Sequence, residues 1–143
     1  MQNSSSNNGY SLIELLSVLV IVAMISSIAY PIYASAQLRL NRVEAKQALL
    51  SLQNSYERYF MTHNSYENAK IGEGRHSILA TDITTKGGYK LEISEQKAGY
   101  YVLTAIPYSS SAKKDLECAK FTLSSYGEKG ITGTGNIHTC WNR

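Results

Sequence analysis

The sequence predicts an α+β chain, with one long N-terminal α-helix packed on a small antiparallel β-sheet and a C-terminal loop bounded by two cysteines. Three observations carry this. Residues 12–33 read LIELLSVLVIVAMISSIAYPIY, an apolar run long enough to cross a membrane. Apolar residues then recur every three or four positions at Ala45, Ala48, Leu49, Leu52, Tyr56, Tyr59 and Phe60, the period of a helix with one buried face. After residue 88 the period falls to two, in short runs split by Gly, Pro and Ser.

Taken in order, the helix is expected from about Ser11 to about His63, bent near Pro31, because a ring nitrogen inside a helix removes one backbone donor. At 1.5 Å per residue it would run on the order of 80 Å. Its first half is apolar all round. Its second half is one-sided, with Arg42, Lys46, Gln53, Asn54 and Glu57 on the face away from the stripe. Asn64 and Ser65 favour a turn that ends it. Residues 64–87 read as loop. Three strands follow: Tyr89, Leu91 and Ile93 alternating with Lys90 and Glu92; Tyr101 to Ala105; and Phe121 with Leu123. They suggest an antiparallel meander whose apolar face lies on the helix stripe. SYGEKG has the form of a hairpin turn, and Gly127, Gly130, Gly133 and Gly135 make the rest loop-like.

The chain has 143 residues, and once the apolar run is set aside roughly 100 remain, enough for one modest core. Net charge is +3, with no block of one sign, so composition demands neither a nucleic-acid nor an acidic partner. Eleven tyrosines against two phenylalanines suit half-buried surfaces that keep one polar tip wet. Cys118 and Cys140 have no histidine or third cysteine at ligand spacing. A disulfide is the expected state, placing the C-terminal domain in an oxidising compartment. Two free buried thiols are the alternative.

No residue pattern supports catalysis. His63, His76 and His138 are scattered and read as surface or turn residues, no Ser/His/Asp order stands out, and GITGTGN lacks the strand-then-helix setting of a nucleotide fingerprint. Neither a cofactor nor a metal site is expected.

Glu14 is the sharpest feature. Tyrosine hydroxyls aside, it is the only ionisable group in the apolar run, and a charge in hydrocarbon costs several kcal/mol unless it snorkels or finds a partner. A cleaved secretory signal fits poorly, since no basic n-region precedes a run that is also too long. A plain transmembrane anchor fits by length but leaves Glu14 unexplained.

GYSLIELL resembles the class III signal of type IV prepilins: glycine, an aromatic, Ser/Thr, two aliphatics, then glutamate, here Gly9, Tyr10, Ser11, Leu12, Ile13 and Glu14. The resemblance implies a leader, residues 1–9, removed after Gly9 by a membrane-embedded aspartyl prepilin peptidase. Tyr10 would then be N-methylated. Residues 10–33 would stay as the hydrophobic transmembrane and assembly helix, residues 34–63 would be its amphipathic half, and residues 64–143 a globular head with an antiparallel sheet. Pro31 falls where many type IV pilins carry a helix-kinking proline. Glu14 lies four residues from the new amine, one turn along the same helix face. The family implies a pairing with the terminal amine of a neighbouring subunit, and such a pair in a dry bundle holds register. Arg39 and Arg42 follow the run, which by the positive-inside rule favours a cytoplasmic head. The cysteine pair and the motif favour the opposite orientation, and that one is expected.

ERYFMTHNSY, GYYVLTAIP, CAKFTLSSYGEKG and the closing CW at Cys140 and Trp141 further resemble the minor pilins of the PilE type and their ComP relatives. The implied function is a structural subunit of a type IV pilus. It would be made in the bacterial inner membrane with a periplasmic head, then built into the surface fibre with other pilin subunits. Members of the ComP type act as DNA-uptake receptors through basic residues of the disulfide-bounded region. Lys113, Lys114, Lys120, Lys129 and Arg143 fall in that part of the chain, mixed with Asp115, Glu117 and Glu128. DNA reception is therefore the alternative to a purely structural role; a major pilin and a type II secretion pseudopilin are others.

Overall fold

The computed structural model describes residues 11–142, so the expectations for residues 1–10 and for Arg143 lie outside the described residues. Helix α1, Leu12–His63, is unbroken in its assignment through Pro31. Along residues 12–33 every position is exposed, Leu12 at 75% and Ile28 at 67%. Two serines there donate to their own backbone one turn back, Ser17 Oγ to the Glu14 carbonyl at 2.8 Å and Ser27 Oγ to the Met24 carbonyl at 2.7 Å.

From residue 36 onward α1 acquires a buried stripe: Asn41, Ala45, Leu49, Leu52, Ser55, Tyr56 and Tyr59. The helix stops at Asn64, which takes φ 52° and donates its N–H to the Phe60 carbonyl at 2.7 Å. A short-chain amide tolerates that left-handed turn, which closes a helix end.

Residues 64–87 are not all loop. Two short strands, β1 (Lys70–Ile71) and β2 (Ser77–Leu79), pair in parallel. The main sheet then runs β3 (Tyr89–Lys97), β4 (Tyr100–Pro107), β5 (Phe121–Ser124) and β6 (Lys129–Ile131), antiparallel and in sequence order. The expected meander is present. It gains β6, where the glycines suggested only loop, and a short closing helix α2, Ile137–Asn142. SYGEKG makes the β5–β6 hairpin, with Gly127 at φ 79°, a backbone state that costs glycine nothing.

Alternation decides the core. Tyr89, Leu91, Tyr101, Leu103, Ala105, Phe121 and Leu123 join the α1 stripe in one cluster, with Cys118, Cys140 and Trp141 at one end. Three tyrosines, Tyr56, Tyr89 and Tyr101, sit deeper than half-buried surfaces would place them, while Tyr30, Tyr33, Tyr108 and Tyr126 are exposed. Buried hydroxyls need partners inside, and that of Tyr89 has none among the described residues. Tyr101 and Tyr66 donate to the two oxygens of Glu57, at 2.7 and 2.9 Å. Tyr56 takes an N–H of Gln96 at 3.3 Å.

Candidate functional site

Two regions could carry function. The first is the start of α1. Glu14 lies in its first turn, where the helix dipole favours an acid. It forms no ion pair among the described residues, and its neighbours Ile13 and Leu15 are 70% and 62% exposed. A carboxylate at the start of an uncovered apolar surface is what an intermolecular partner would neutralise. Pro31 is also exposed on this segment.

The second region is built around the cysteines. Cys118 and Cys140 form a disulfide with Cα atoms 5.8 Å apart. The segment before Cys118 is held by Asp115, whose carboxylate meets Arg42 Nε at 2.6 Å and Arg42 Nη2 at 2.8 Å and also accepts the Cys118 N–H. Glu117 adds a second carboxylate to the same guanidinium at 2.8 Å. These bonds hold Arg42 even more firmly protonated than usual, with its hydrogen bond to Asp115 the largest cause and burial opposing. After Cys118 the glycine-rich segment lies directly on the backbone of residues 116–118. Gly133, Thr134 and Gly135 donate their N–H groups to the carbonyls of Cys118, Leu116 and Glu117 at 3.2, 3.2 and 2.8 Å. A Cβ on Gly133 would overlap the Glu117 carbonyl. The glycines of GITGTGN thus permit two backbones to touch.

Of the five basic candidates, Lys113, Lys114, Lys120 and Lys129 are described and all are exposed. Lys113 and Lys114 sit on a 3-10 turn, Ala112–Lys114, anchored by buried Ala112. They precede the disulfide loop rather than lying inside it. Lys120 follows Cys118, its backbone paired with Thr132. Lys129 stands opposite Leu123 in the β5–β6 register, on the core side of the sheet edge. Its ammonium rests 5.4 Å above the Trp141 ring.

Two cations that the periodicity assigned to the free face of the helix belong here instead. Arg42 grips Asp115 and Glu117, and Lys46 Nζ donates to the Trp141 carbonyl at 3.1 Å. Burial lowers the pKa of Lys46, and the neighbouring charges of Arg42 and Lys129 add to it. Their spacing of four residues, one helix turn, was the available signal; their partners, about 70 to 95 residues away, gave none.

An apolar helix bearing one acid, a one-sided continuation under an antiparallel sheet, and a disulfide at its end define a type IV pilin. Residues 4–30 match the prokaryotic N-terminal methylation motif. Residues 31–122 match the family described as type IV minor pilin ComP, DNA uptake sequence receptor, and the chain belongs to that family. It is 25% identical over 122 residues to the type IV major pilin protein PilE of Neisseria gonorrhoeae, covering 85% of this chain and 69% of that protein. A second protein of that organism, the type IV major pilin protein PilE1, is 27% identical over 85% of this chain and 70% of its own length. The crystal structure of the Neisseria meningitidis non-core minor pilin PilV covers 68% of this chain and 91% of its own, at 16% identity and a TM-score of 0.48. The chain is a minor pilin, a structural subunit that assembles with other pilins in a type IV pilus. The methylation motif and the apolar helix fit a membrane-anchored prepilin that is built into a surface pilus.

Proposed function

We propose that this minor pilin, a structural and not a catalytic subunit, is cut after Gly9 by a prepilin peptidase and N-methylated on Tyr10. Residues 10–33 then hold it in the inner membrane, its head of residues 64–143 in the periplasm, until assembly. Glu14 pairs with the terminal amine of a neighbouring subunit as it enters the fibre. The observation that supports this is the uncovered apolar surface of residues 12–33 with one acid in its first turn that is unpaired among the described residues. Such a surface needs lipid first and other helices later. Intact mass and N-terminal sequencing, with and without a prepilin peptidase, test it. A chain beginning at methylated Tyr10 only when the peptidase is present supports the reading, and a chain still beginning at Met1 sinks it.

A second reading is favoured by the arrangement of charge around the disulfide. Arg42 compensates Asp115 and Glu117, so two of the three acids that dilute the basic residues in sequence are engaged, Glu128 being the exception, while Lys113, Lys114 and Lys120 remain exposed. With Lys129 and Arg143 they would supply the phosphate contacts of a DNA receptor, the activity in the family's description. Lysine–phosphate contacts make binding salt-dependent. Retention of duplex DNA at graded salt should fall steeply for the parent and be weaker throughout when Lys113, Lys114 and Lys120 become Gln. Equal retention by both proteins would remove this reading.

A further inference from the structure

His63 and His76, read from sequence as scattered, come together where α1 ends. Their ring centroids are 5.3 Å apart with planes at 70°. Tyr59 organises both: its ring stacks on His63 at 4.0 Å, and its hydroxyl lies 2.9 Å from His76 Nδ1. That hydroxyl also lies 3.2 Å from the Glu67 carbonyl, and when it donates there it accepts from His76 Nδ1–H. His63 Nδ1 lies 3.1 Å from the Tyr59 carbonyl, which can only accept, and 2.7 Å from Thr62 Oγ1, whose own hydrogen goes to that carbonyl. In the tautomer these partners accommodate, both rings carry their proton on Nδ1 and keep the Nε2 lone pair.

This tautomer, supported by carbonyl and hydroxyl partners, is the one that second-shell bonds impose on metal-ligating histidines. The spacing agrees. With Zn–N at about 2.0–2.1 Å, an ion lies about 3.2 Å from each ring centre, and two imidazoles sharing a tetrahedral ion sit about 5.2 Å apart. We propose that His63 and His76 form a two-imidazole site for a borderline divalent cation of the Zn2+ class, with Tyr59 as the positioning residue that orients both rings. Among the described residues no group of three or more His, Cys, Asp or Glu side chains forms a metal site, so the site offers two ligands and leaves coordination positions open. Imidazole selects Zn2+, Ni2+ or Cu2+ over Mg2+ and Ca2+.

The test is a Zn2+ titration of the full chain in detergent, followed by calorimetry and by 15N resonances of the histidine rings. One Zn2+ per chain is expected, shifting Nε2 of His63 and His76 and leaving His138 unmoved. His63→Gln and His76→Asn should each weaken Zn2+ binding about tenfold or more, with His138→Gln unchanged; asparagine suits the φ of 68° at position 76. Tyr59→Phe keeps the ring, removes the hydroxyl, and should weaken binding about tenfold. The ring resonances of the parent chain read the site even if a variant misfolds. Absence of binding, or shifts confined to His138 or to one ring, would overturn the proposal.

Discussion

Arg42 on helix α1 and Asp115 beside the first cysteine form a two-pronged ion pair at 2.6 and 2.8 Å, with the Asp115 side chain 1% exposed. The same carboxylate takes the Cys118 N–H, so one acid ties the helix to the disulfide. Asp115→Ala leaves Arg42 with exposed Glu117 as its remaining carboxylate and strands the Cys118 N–H. Removing one member of a buried pair costs about 3–5 kcal/mol; with the guanidinium 14% exposed and Glu117 still present, about 2–4 kcal/mol is expected. Urea unfolding followed by near-ultraviolet circular dichroism measures it. A loss below about 0.5 kcal/mol would mean that the pair holds nothing.

The disulfide closes a separation of 22 residues. In the chain-entropy account it stabilises the fold by roughly 3 kcal/mol. Trp141, the one tryptophan of the chain, neighbours Cys140 and packs edge-on against Phe121 at 5.7 Å. Reduction, or the pair Cys118→Ser and Cys140→Ser, should lower the unfolding midpoint and shift Trp141 emission to the red as α2 detaches. Unchanged emission would show that α2 is held by packing alone.

Gly133→Ala tests the close approach of the two backbones. The added methyl meets the backbone carbonyls of Glu117 and Leu116, and backbone cannot give way as a side chain can. A loss of about 1–3 kcal/mol is expected. Gly99, whose Cβ position is open, is the control at which alanine should cost less. Thermal unfolding of the two variants side by side separates close approach from a general effect of glycine.

Stability should also fall on the alkaline side. Burial, with a contribution from the Glu57 carboxylate, pushes the Tyr66 hydroxyl up to about 12 from 10.0, and burial with Glu57 likewise raises Tyr101. A group raised on folding contributes fully below its unfolded pKa and loses that contribution as pH rises through the folded one. The unfolding midpoint should therefore hold to about pH 10 and drop between about 10 and 12. Tyr66→Phe should be about 1–2 kcal/mol less stable at pH 8 and show a shallower alkaline fall. Parallel curves for parent and variant would contradict the assignment.

What was legible in the sequence was what repeats. The stripe from Ala45 to Tyr59 and the alternations at Tyr89–Ile93, Tyr101–Ala105 and Phe121–Leu123 each name a face, and those faces meet in the core. The short strands Lys70–Ile71 and Ser77–Leu79 span too few residues to show a period. The strand Lys129–Ile131 has a glycine at its centre, and α2 is six residues long beside a disulfide. The glycines at 133 and 135 read as loop because sequence shows their freedom and not the backbone pressed against them. Arg42, Lys46 and Glu57 read as a solvent face because a charge pattern does not reveal distant partners. Among basic residues, the sequence named the candidate lysines but not the arginine that neutralises Asp115 and Glu117 between Lys114 and Lys120.

Along the apolar segment, Ser17 and Ser27 turn their hydroxyls back onto their own helix. Each hydrogen is already placed, so neither residue asks anything of what surrounds it. Moving such a segment from lipid to a sheath of other helices therefore breaks no bond that these serines make and strips no water from them. The transfer is close to an exchange between two oils, and Glu14 is the side chain whose electrical surroundings change. On the proposed reading, direction in such a passage would come from that one carboxylate rather than from the grease around it.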